Sequence, residues 1–213
     1  MSQRARIVVG SFAKEPPPMP TKLKPEEQMT IDEFLAYTAQ RPDGERWELI
    51  EGIAVMNASP TDVHQMIATN IGSWLLAERR RTRSHWIPLM GISTKVPVSP
   101  KSLPQPDVFV KDGPLVGTAT TEDALVLFEV LSKSNTKADQ AWRRKVYASI
   151  PNCQHYVTIS QVKVTVTRFD RSNDWGDATM TGLKSKLLLP ALGRDISIPL
   201  AEMYRLTPLG SID

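Results

Sequence analysis

The sequence predicts one α/β domain of the α+β type, in which helices flank a central mixed β-sheet. Its 213 residues are 41% hydrophobic, which is enough to bury a sizeable core. Helical and strand-like segments follow in the order helix, hairpin, helix, several strands, helix and strands, which favours a mixed sheet with helices against it. The most apolar segment, Ala124 to Leu131, has the composition of a strand buried on both faces.

The N-terminal region is predicted to contain a tail followed by a short helix. Residues 1 to 28 combine basic residues with prolines and show no sustained periodicity, so we expect a flexible tail. Ordered structure is expected from Met29 onward. Thr30 and Glu33 have the spacing of a capping box, which predicts the start of a helix that ends by Pro42.

A hairpin and a long helix are predicted next. Two β-prone segments within residues 46–57 flank Glu51-Gly52, a pair of residues that suits a two-residue hairpin turn. Thr61 or Asp62 then caps a helix with a basic C-terminal end. The apolar residues of this helix recur at intervals of three and four positions: Val63, Ile67, Ile71, Trp74 and Leu75.

The rest of the chain is predicted to be mostly strands. They are expected at residues 86–89, 92–98, 107–110, 125–131, 155–160, 163–169, 178–181 and 186–189. A second sizeable helix covers residues 139–149 and ends before Pro151, because the residue that precedes a proline disfavours the α region. Residues 200–204 are expected to form a closing helical turn.

Charge and cysteine content limit the classes of function. The net charge of +3, from 26 Lys and Arg against 23 Asp and Glu, is too small to establish a polyanionic partner. Cys153 is the single cysteine, which excludes an internal disulfide framework and a multi-cysteine zinc site and fits a reducing cytosol. No run approaches about 18 apolar residues, and no signal peptide is recognisable, so we expect a cytoplasmic protein without a membrane partner.

Glu129 is the residue that most needs an explanation. It interrupts the apolar run, and its neighbours on the same strand face are Leu127 and Leu131. Burying a carboxylate costs several kcal/mol unless a cation or strong donors compensate. Asp107, which follows Pro106, lies far enough upstream for a strand, a loop and an adjacent strand. Since hard cations prefer oxygen ligands, Asp107 and Glu129 are predicted to bind a divalent metal.

An ordered set of short motifs extends over residues 29 to 206. In chain order the motifs are Met29-Thr30-Ile31-Asp32-Glu33-Phe34-Leu35, Trp47-Glu48-Leu49-Ile50-Glu51-Gly52, Ser59-Pro60 with His64, Pro106-Asp107, and Glu129-Val130-Leu131-Ser132. With this set the chain resembles the Uma-two family of putative restriction endonucleases, a domain of unknown function in the PD-(D/E)XK nuclease-like superfamily. The resemblance places the domain at residues 29–206 and leaves residues 207–213 as a C-terminal tail.

The resemblance implies a restriction-endonuclease-like fold with a metal-dependent nuclease site. In that site Asp107 and Glu129 would bind Mg²⁺ or Mn²⁺, and Glu48 from the first hairpin would complete the acidic cluster. The expected reaction is hydrolysis of phosphodiester bonds in DNA or another nucleic acid. Nucleic acid, DNA foremost, is therefore the expected partner, and a homodimer is an assembly that the sequence leaves open.

The chain departs from the family pattern in its cations. The superfamily places a lysine two residues after the second acid, where this chain has Leu131. The Uma-two family places a lysine on the following helix, and that position is Arg143 here. Arginine stays charged but is a poor proton acceptor, and Lys133 is a candidate to replace the lysine. The candidate catalytic residues are Glu48, Asp107, Glu129 and Arg143.

Simpler interpretations stay open for each of these residues. Glu129 could reach solvent or pair internally with Arg143, and Asp107 could cap a turn. Glu48 could be an exposed strand residue. His64 could contact the acids, although a surface or helix-cap role is the simpler expectation. For the whole protein, the alternatives are a nuclease fold that binds nucleic acid without cleaving it and a protein-interaction module.

Overall fold

A six-stranded mixed sheet forms the centre of the fold. The computed structural model of the protein describes residues 28–42, 44–132 and 135–210. The helices are α1 (Ile31–Thr38), α2 (Asp62–Thr82), α3 (Lys137–Ala148) and α4 (Leu200–Met203). The strands are β1 (Arg46–Ile50), β2 (Ile53–Asn57), β3 (Ile87–Leu89), β4 (Ser93–Thr94), β5 (Val108–Lys111), β6 (Thr120–Thr121), β7 (Val126–Leu131), β8 (His155–Ser160), β9 (Thr165–Asp170), β10 (Gly176–Thr181), β11 (Lys186–Leu188) and β12 (Ser197–Pro199).

Helices cover both faces of this sheet, as predicted. The strand order is β10-β9-β8-β7-β5-β3, with β7 and β8 parallel and the other neighbours antiparallel. On one face, Ile67 of α2 belongs to the same buried cluster as Phe128 of β7. On the other, Val146 of α3 packs with Leu127. Because side chains alternate along a strand, Glu129 lies on the α3 side.

Two local signals near the N-terminus form the structures predicted from them. The Thr30 hydroxyl accepts the Glu33 backbone N–H at 3.3 Å, and the Glu33 carboxylate accepts the Thr30 N–H at 2.7 Å. Glu51 and Gly52 have φ values of 49° and 81°, which suit a type I′ hairpin turn. A Cβ at Gly52 would lie 2.4 Å from the Gln28 side chain, so this position also needs glycine for space.

The strand predicted at residues 92–98 is mostly absent, and the one predicted at residues 186–189 is present but outside the central sheet. Within residues 92–98 only β4 forms, and it pairs with β6 outside the central sheet. Pro97 has no N–H to donate to a strand partner, and the Ser99 N–H donates to the Val96 carbonyl at 3.0 Å, which turns the chain. β11 also lies outside the central sheet, because it pairs with β12, a strand that the sequence did not predict.

The structure describes only part of the two predicted tails. Residues 1–27 of the predicted N-terminal tail lie outside the described residues. Of the predicted C-terminal segment, Thr207 is buried and Leu209 packs against the α2 side of the core. Within the described part of the chain, no helix is both long and apolar enough to cross a membrane.

Candidate active site

Asp107 and Glu129 lie on neighbouring chain segments at one end of the central sheet. Glu129 belongs to β7, and Asp107 immediately precedes β5, the strand beside it. The Asp107 backbone N–H donates to the Phe128 carbonyl oxygen at 3.1 Å, which fixes the two segments in register next to the acids. Both acids are buried, at 9% and 8% exposure. The adjacency expected from their spacing is present.

Glu48 reaches the same place from the N-terminal hairpin. It lies on β1 and is 1% exposed, so the interpretation of an exposed strand residue is wrong. Its Oε1 accepts the backbone N–H of Gln105 at 2.7 Å. Its Oε2 accepts an N–H of Arg143 at 2.6 Å. Both carboxylate oxygens of Glu48 therefore have a strong donor within the protein.

Arg143 joins Glu48 to Glu129. A second N–H of its guanidinium donates to Glu129 Oε1 at 2.9 Å, so the internal ion pair that the sequence left open is present. The Tyr147 hydroxyl donates to the same oxygen at 2.7 Å and lies 3.2 Å from Arg143 Nη1. Arg143 and Tyr147 are one turn apart on α3, which puts both on one helix face. We call Glu48, Glu129, Arg143 and Tyr147 the buried cluster.

The buried cluster carries more negative than positive charge around Glu129. The pKa of Glu129 is raised to about 8, because burial and the charges of Asp107 and Glu48, which raise it, outweigh Arg143 and the Tyr147 hydrogen bond, which lower it. Burial and the nearby Glu129 also raise the pKa of Tyr147 well above its usual value, so this hydroxyl keeps its proton and can donate it in a hydrogen bond. A further cation beside Glu129 would favour its ionised form.

A second, looser set of contacts surrounds Asp107. Its Oδ2 accepts the Val130 backbone N–H at 2.8 Å and lies 3.2 Å from His64 Nε2. Its Oδ1 lies 3.6 Å from Arg46 Nη2. His64 is 7% exposed, so the expectation of a surface histidine is wrong; its backbone N–H donates to the Thr61 cap, and its side chain makes the contact with an acid that the sequence left open. We call Arg46, His64 and Asp107 the rim group.

Residues of both groups line one cavity of about 150 Å³. Six of its lining residues matter here: Arg46, Glu48, His64, Asp107, Glu129 and Arg143. This volume can hold a small ion with a few water molecules. A larger cavity of about 450 Å³ lies elsewhere and is lined by apolar residues such as Leu89 and Phe109 together with charged and polar ones. None of the four candidate catalytic residues lines it, so size does not locate the site.

The oxygen atoms left over in the cavity fit a hard divalent cation bound by two carboxylates. Glu129 Oε1 is engaged by Arg143 and Tyr147, and no donor from the described residues reaches Oε2. Among the described residues, the one contact of Asp107 Oδ1 is the distant one to Arg46. In the described part of the chain, no three or more His, Cys, Asp or Glu residues are grouped as metal ligands. Mg²⁺ commonly binds through one or two carboxylates and keeps several waters, so Asp107 and Glu129 suffice chemically.

Comparison with known proteins supplies the family. A family model named Uma2 and described as "putative restriction endonuclease" matches residues 31–201. The chain belongs to the Uma2 family. This match confirms the Uma-two resemblance found in the motifs.

Structural comparison agrees with the Uma2 assignment at the level of the fold. The chain resembles the crystal structure of a putative nuclease belonging to DUF820 from Anabaena variabilis ATCC 29413, with a TM-score of 0.67 and 14% identity. The match covers 83% of this chain and 97% of the other. At this identity the likeness shows the fold alone, and it confirms the predicted nuclease-like mixed sheet. A search of curated proteins found no match.

The structure adds residues that the sequence interpretation of this Uma2 chain did not assign to the site. Arg46 lies two positions before Glu48 on β1, and this period-two spacing was the available signal. Tyr147 lies four positions after Arg143 on α3, a spacing that places two side chains on one helix face. The Gln105 backbone N–H had no sequence signal. Lys133, the proposed lysine substitute, lies outside the described residues.

Proposed function

We propose that this Uma2 protein is a metal-dependent endonuclease-like enzyme that hydrolyses phosphodiester bonds in nucleic acid, with DNA as the first substrate to test. One observation carries the proposal: Glu48, Asp107 and Glu129, from three separate segments, converge with Arg143 in one cavity. A stability role alone does not require three buried acids to line one cavity. The family description and the nuclease-like fold support the same reaction class.

Asp107 and Glu129 are the proposed ligands of Mg²⁺ or Mn²⁺. A bound ion of this kind lowers the pKa of its water and polarises a phosphoryl oxygen. The protein orients the two carboxylates so that they can bind the ion. The Val130 N–H and His64 orient Asp107, while Tyr147 and Arg143 fix one oxygen of Glu129.

Glu48 has a different role in this proposal. Because Gln105 N–H and Arg143 occupy both of its oxygens, Glu48 acts as a positioning residue. It holds the guanidinium of Arg143 against Glu129. Arg143 in turn offsets part of the negative charge that burial makes costly. Loss of Glu48 is therefore expected to disturb Glu129 through Arg143.

The second candidate function is nucleic-acid binding without cleavage. It is favoured by one observation: two amino groups of Arg143, which replaces the family's helix lysine, already pair with acids at 2.6 and 2.9 Å. A guanidinium in this arrangement has little freedom to assist a reaction. Such a module would retain nucleic acid in a salt-dependent way without turnover.

A cleavage assay separates the two candidates. Supercoiled plasmid and labelled oligonucleotides are incubated with the protein in Mg²⁺, Mn²⁺ or EDTA. We expect metal-dependent cleavage that falls at least about 100-fold in Asp107→Asn and in Glu129→Gln, the scale seen when a group that stabilises the transition state is removed. Asp177→Asn, an exposed acid on β10, is the matched control and should cleave normally.

Three results would contradict the enzyme proposal. Robust cleavage by Asp107→Asn or Glu129→Gln would show that the substituted acid is not required for the reaction. Equal cleavage in EDTA would show that the reaction does not need a metal ion. Salt-sensitive retention of DNA by the wild type, with no cleavage in either metal, would establish the binding module instead.

A further inference from the structure

Two arginines line the acid cavity, and they differ in how firmly they are held. Arg143 is 12% exposed in its side chain and bonds to Glu48 and Glu129. For it to reach a substrate phosphate, two buried carboxylates would lose their cation, which is strongly unfavourable. Arg143 is therefore a poor candidate for contact with a substrate.

Arg46 has the opposite properties. Its side chain is 30% exposed, and its Nη2 lies 3.6 Å from Asp107 Oδ1. Its Nε donates to Gln105 Oε1 at 3.4 Å, near the upper limit for a hydrogen bond. Within the described residues, the guanidinium of Arg46 makes no shorter hydrogen bond or ion pair. A guanidinium has five N–H donors in a planar fork, so most of its donor capacity remains for a ligand.

The position of Arg46 suits a substrate that extends beyond the cavity. Arg46 and Gln105 also line two adjoining clefts of about 320 and 330 Å³, so Arg46 lies where all three spaces meet. The first of these clefts also contains Arg41, whose guanidinium lies 4.2 Å from the centre of the Tyr37 ring. Cationic and aromatic side chains beside a groove are features that accommodate a nucleic-acid strand.

We propose that Arg46, rather than Arg143, is the cation that contacts the phosphate of a nucleic-acid substrate at this site. The assignment deepens the proposed function and rests on it. The guanidinium would exchange its distant contact to Asp107 for two parallel N–H hydrogen bonds to phosphate oxygens. In the cleavage reaction these bonds would stabilise the charge that develops on the phosphate.

Binding and cleavage by Arg46→Gln test the assignment. Arg194→Gln is the matched control, since it removes the same charge from an exposed position outside the cavity. The affinity for a labelled 20-nucleotide DNA is measured in Ca²⁺ over a range of salt concentrations. We expect Arg46→Gln to weaken binding about tenfold and to reduce the slope of log K against log salt by about 0.7 to 0.9, the contribution of one phosphate contact.

Three further readouts separate a phosphate contact from a structural role. Cleavage in Mg²⁺ should fall at least about 100-fold in Arg46→Gln. Arg46→Lys, which keeps the charge but loses the fork, should recover part of the binding and less of the cleavage. The unfolding midpoint should match that of Arg194→Gln, and the Mn²⁺ affinity should not fall, because Arg46 is not a proposed ligand and its loss removes a positive charge beside Asp107.

The outcomes distinguish this assignment from the proposed function. If the wild type cleaves DNA and Arg46→Gln binds and cleaves it equally well, the assignment of Arg46 as the phosphate contact is wrong and the enzyme proposal stands. If the wild type binds DNA without cleaving it, the enzyme proposal fails, and a reduced salt slope in Arg46→Gln still supports the contact. A wild type that neither binds nor cleaves DNA overturns both.

Discussion

The buried cluster and the rim group share one cavity but are built in different ways. In the buried cluster, Arg143 bonds to its two carboxylates at 2.6 and 2.9 Å. In the rim group, Arg46 lies 3.6 Å from Asp107 and is partly exposed. The first arrangement maintains a shape, because any rearrangement leaves a buried charge unpaired. The second can exchange partners at small cost. An arginine at a site can therefore either be held in place by its partners or remain available to a ligand, according to how tightly it is paired.

Removal of Arg143 should have the largest effect on stability. Arg143→Met leaves Glu48 buried without its cation and removes a donor to Glu129, and we expect the free energy of unfolding to fall by about 3 to 5 kcal/mol. Urea denaturation at pH 7 measures this change. In a triple variant that also carries Glu48→Gln and Glu129→Gln, part of the loss should be recovered. A loss below about 1 kcal/mol in Arg143→Met would show that the ion pairs are not structural.

Loss of the Tyr147 hydroxyl should have the next largest effect. Tyr147→Phe removes a hydrogen bond to Glu129 and a contact to Arg143, and bonds to charged groups contribute about 1.5 to 3 kcal/mol. Urea denaturation measures the loss. Tyr37→Phe is the matched control, since it also removes a hydroxyl but keeps the ring that packs edge-on against Trp47. This substitution should change the free energy of unfolding by less than about 0.5 kcal/mol. Equal losses in the two variants would contradict the assigned role of Tyr147.

The pH dependence of stability should carry a contribution from Glu129. Its pKa is near 4.5 when unfolded and about 8 in the folded protein. Between these values the folded state holds the proton more firmly, so the free energy of unfolding should fall as pH rises, by at most about 1.4 kcal/mol per pH unit. Urea titrations from pH 5 to 8.5 on wild type and Glu129→Gln isolate this term by difference. A wild-type curve parallel to that of Glu129→Gln would contradict it.

Removal of Arg46 should have the smallest effect on stability. Its contact to Asp107 is long and partly exposed, and ion pairs of this kind contribute about 1 kcal/mol or less. Arg46→Gln should therefore unfold at nearly the wild-type urea concentration when no nucleic acid is present. A fall of more than about 2 kcal/mol in the free energy of unfolding would show that Arg46 has a structural role like that of Arg143, so the two groups would not differ in this respect.

Much of the fold could be predicted because its signals are local. The capping box at Thr30 and the turn at Glu51-Gly52 each depend on a few adjacent residues. The apolar run that forms β7 is also a local pattern, and it indicates a central strand. The pairing of β11 with β12 was missed because strand partners depend on long-range packing.

The acids of the candidate site could be predicted from the sequence, but most of the residues that pair with them could not. Glu129 lies in β7 and Asp107 immediately before the neighbouring strand β5, and their spacing in the chain allows this adjacency. The contact between Glu48 and Arg143 joins residues 95 positions apart in the chain, and no local pattern reports it. His64 was misjudged for the same reason, because its burial depends on how α2 packs against the sheet. Local chemistry thus located the acids, and only the fold shows how their charges are compensated.

A crystal structure with Mn²⁺ soaked in tests the central claim most directly. We predict an anomalous peak in the cavity between the two groups, with one oxygen of Asp107 and one of Glu129 about 2.0 to 2.6 Å from the ion. Arg143 should still pair with Glu48 in that structure. An empty cavity at saturating Mn²⁺, or an ion bound elsewhere with the Arg143 pairs to Glu48 and Glu129 intact, would contradict the claim that these acids form a metal site.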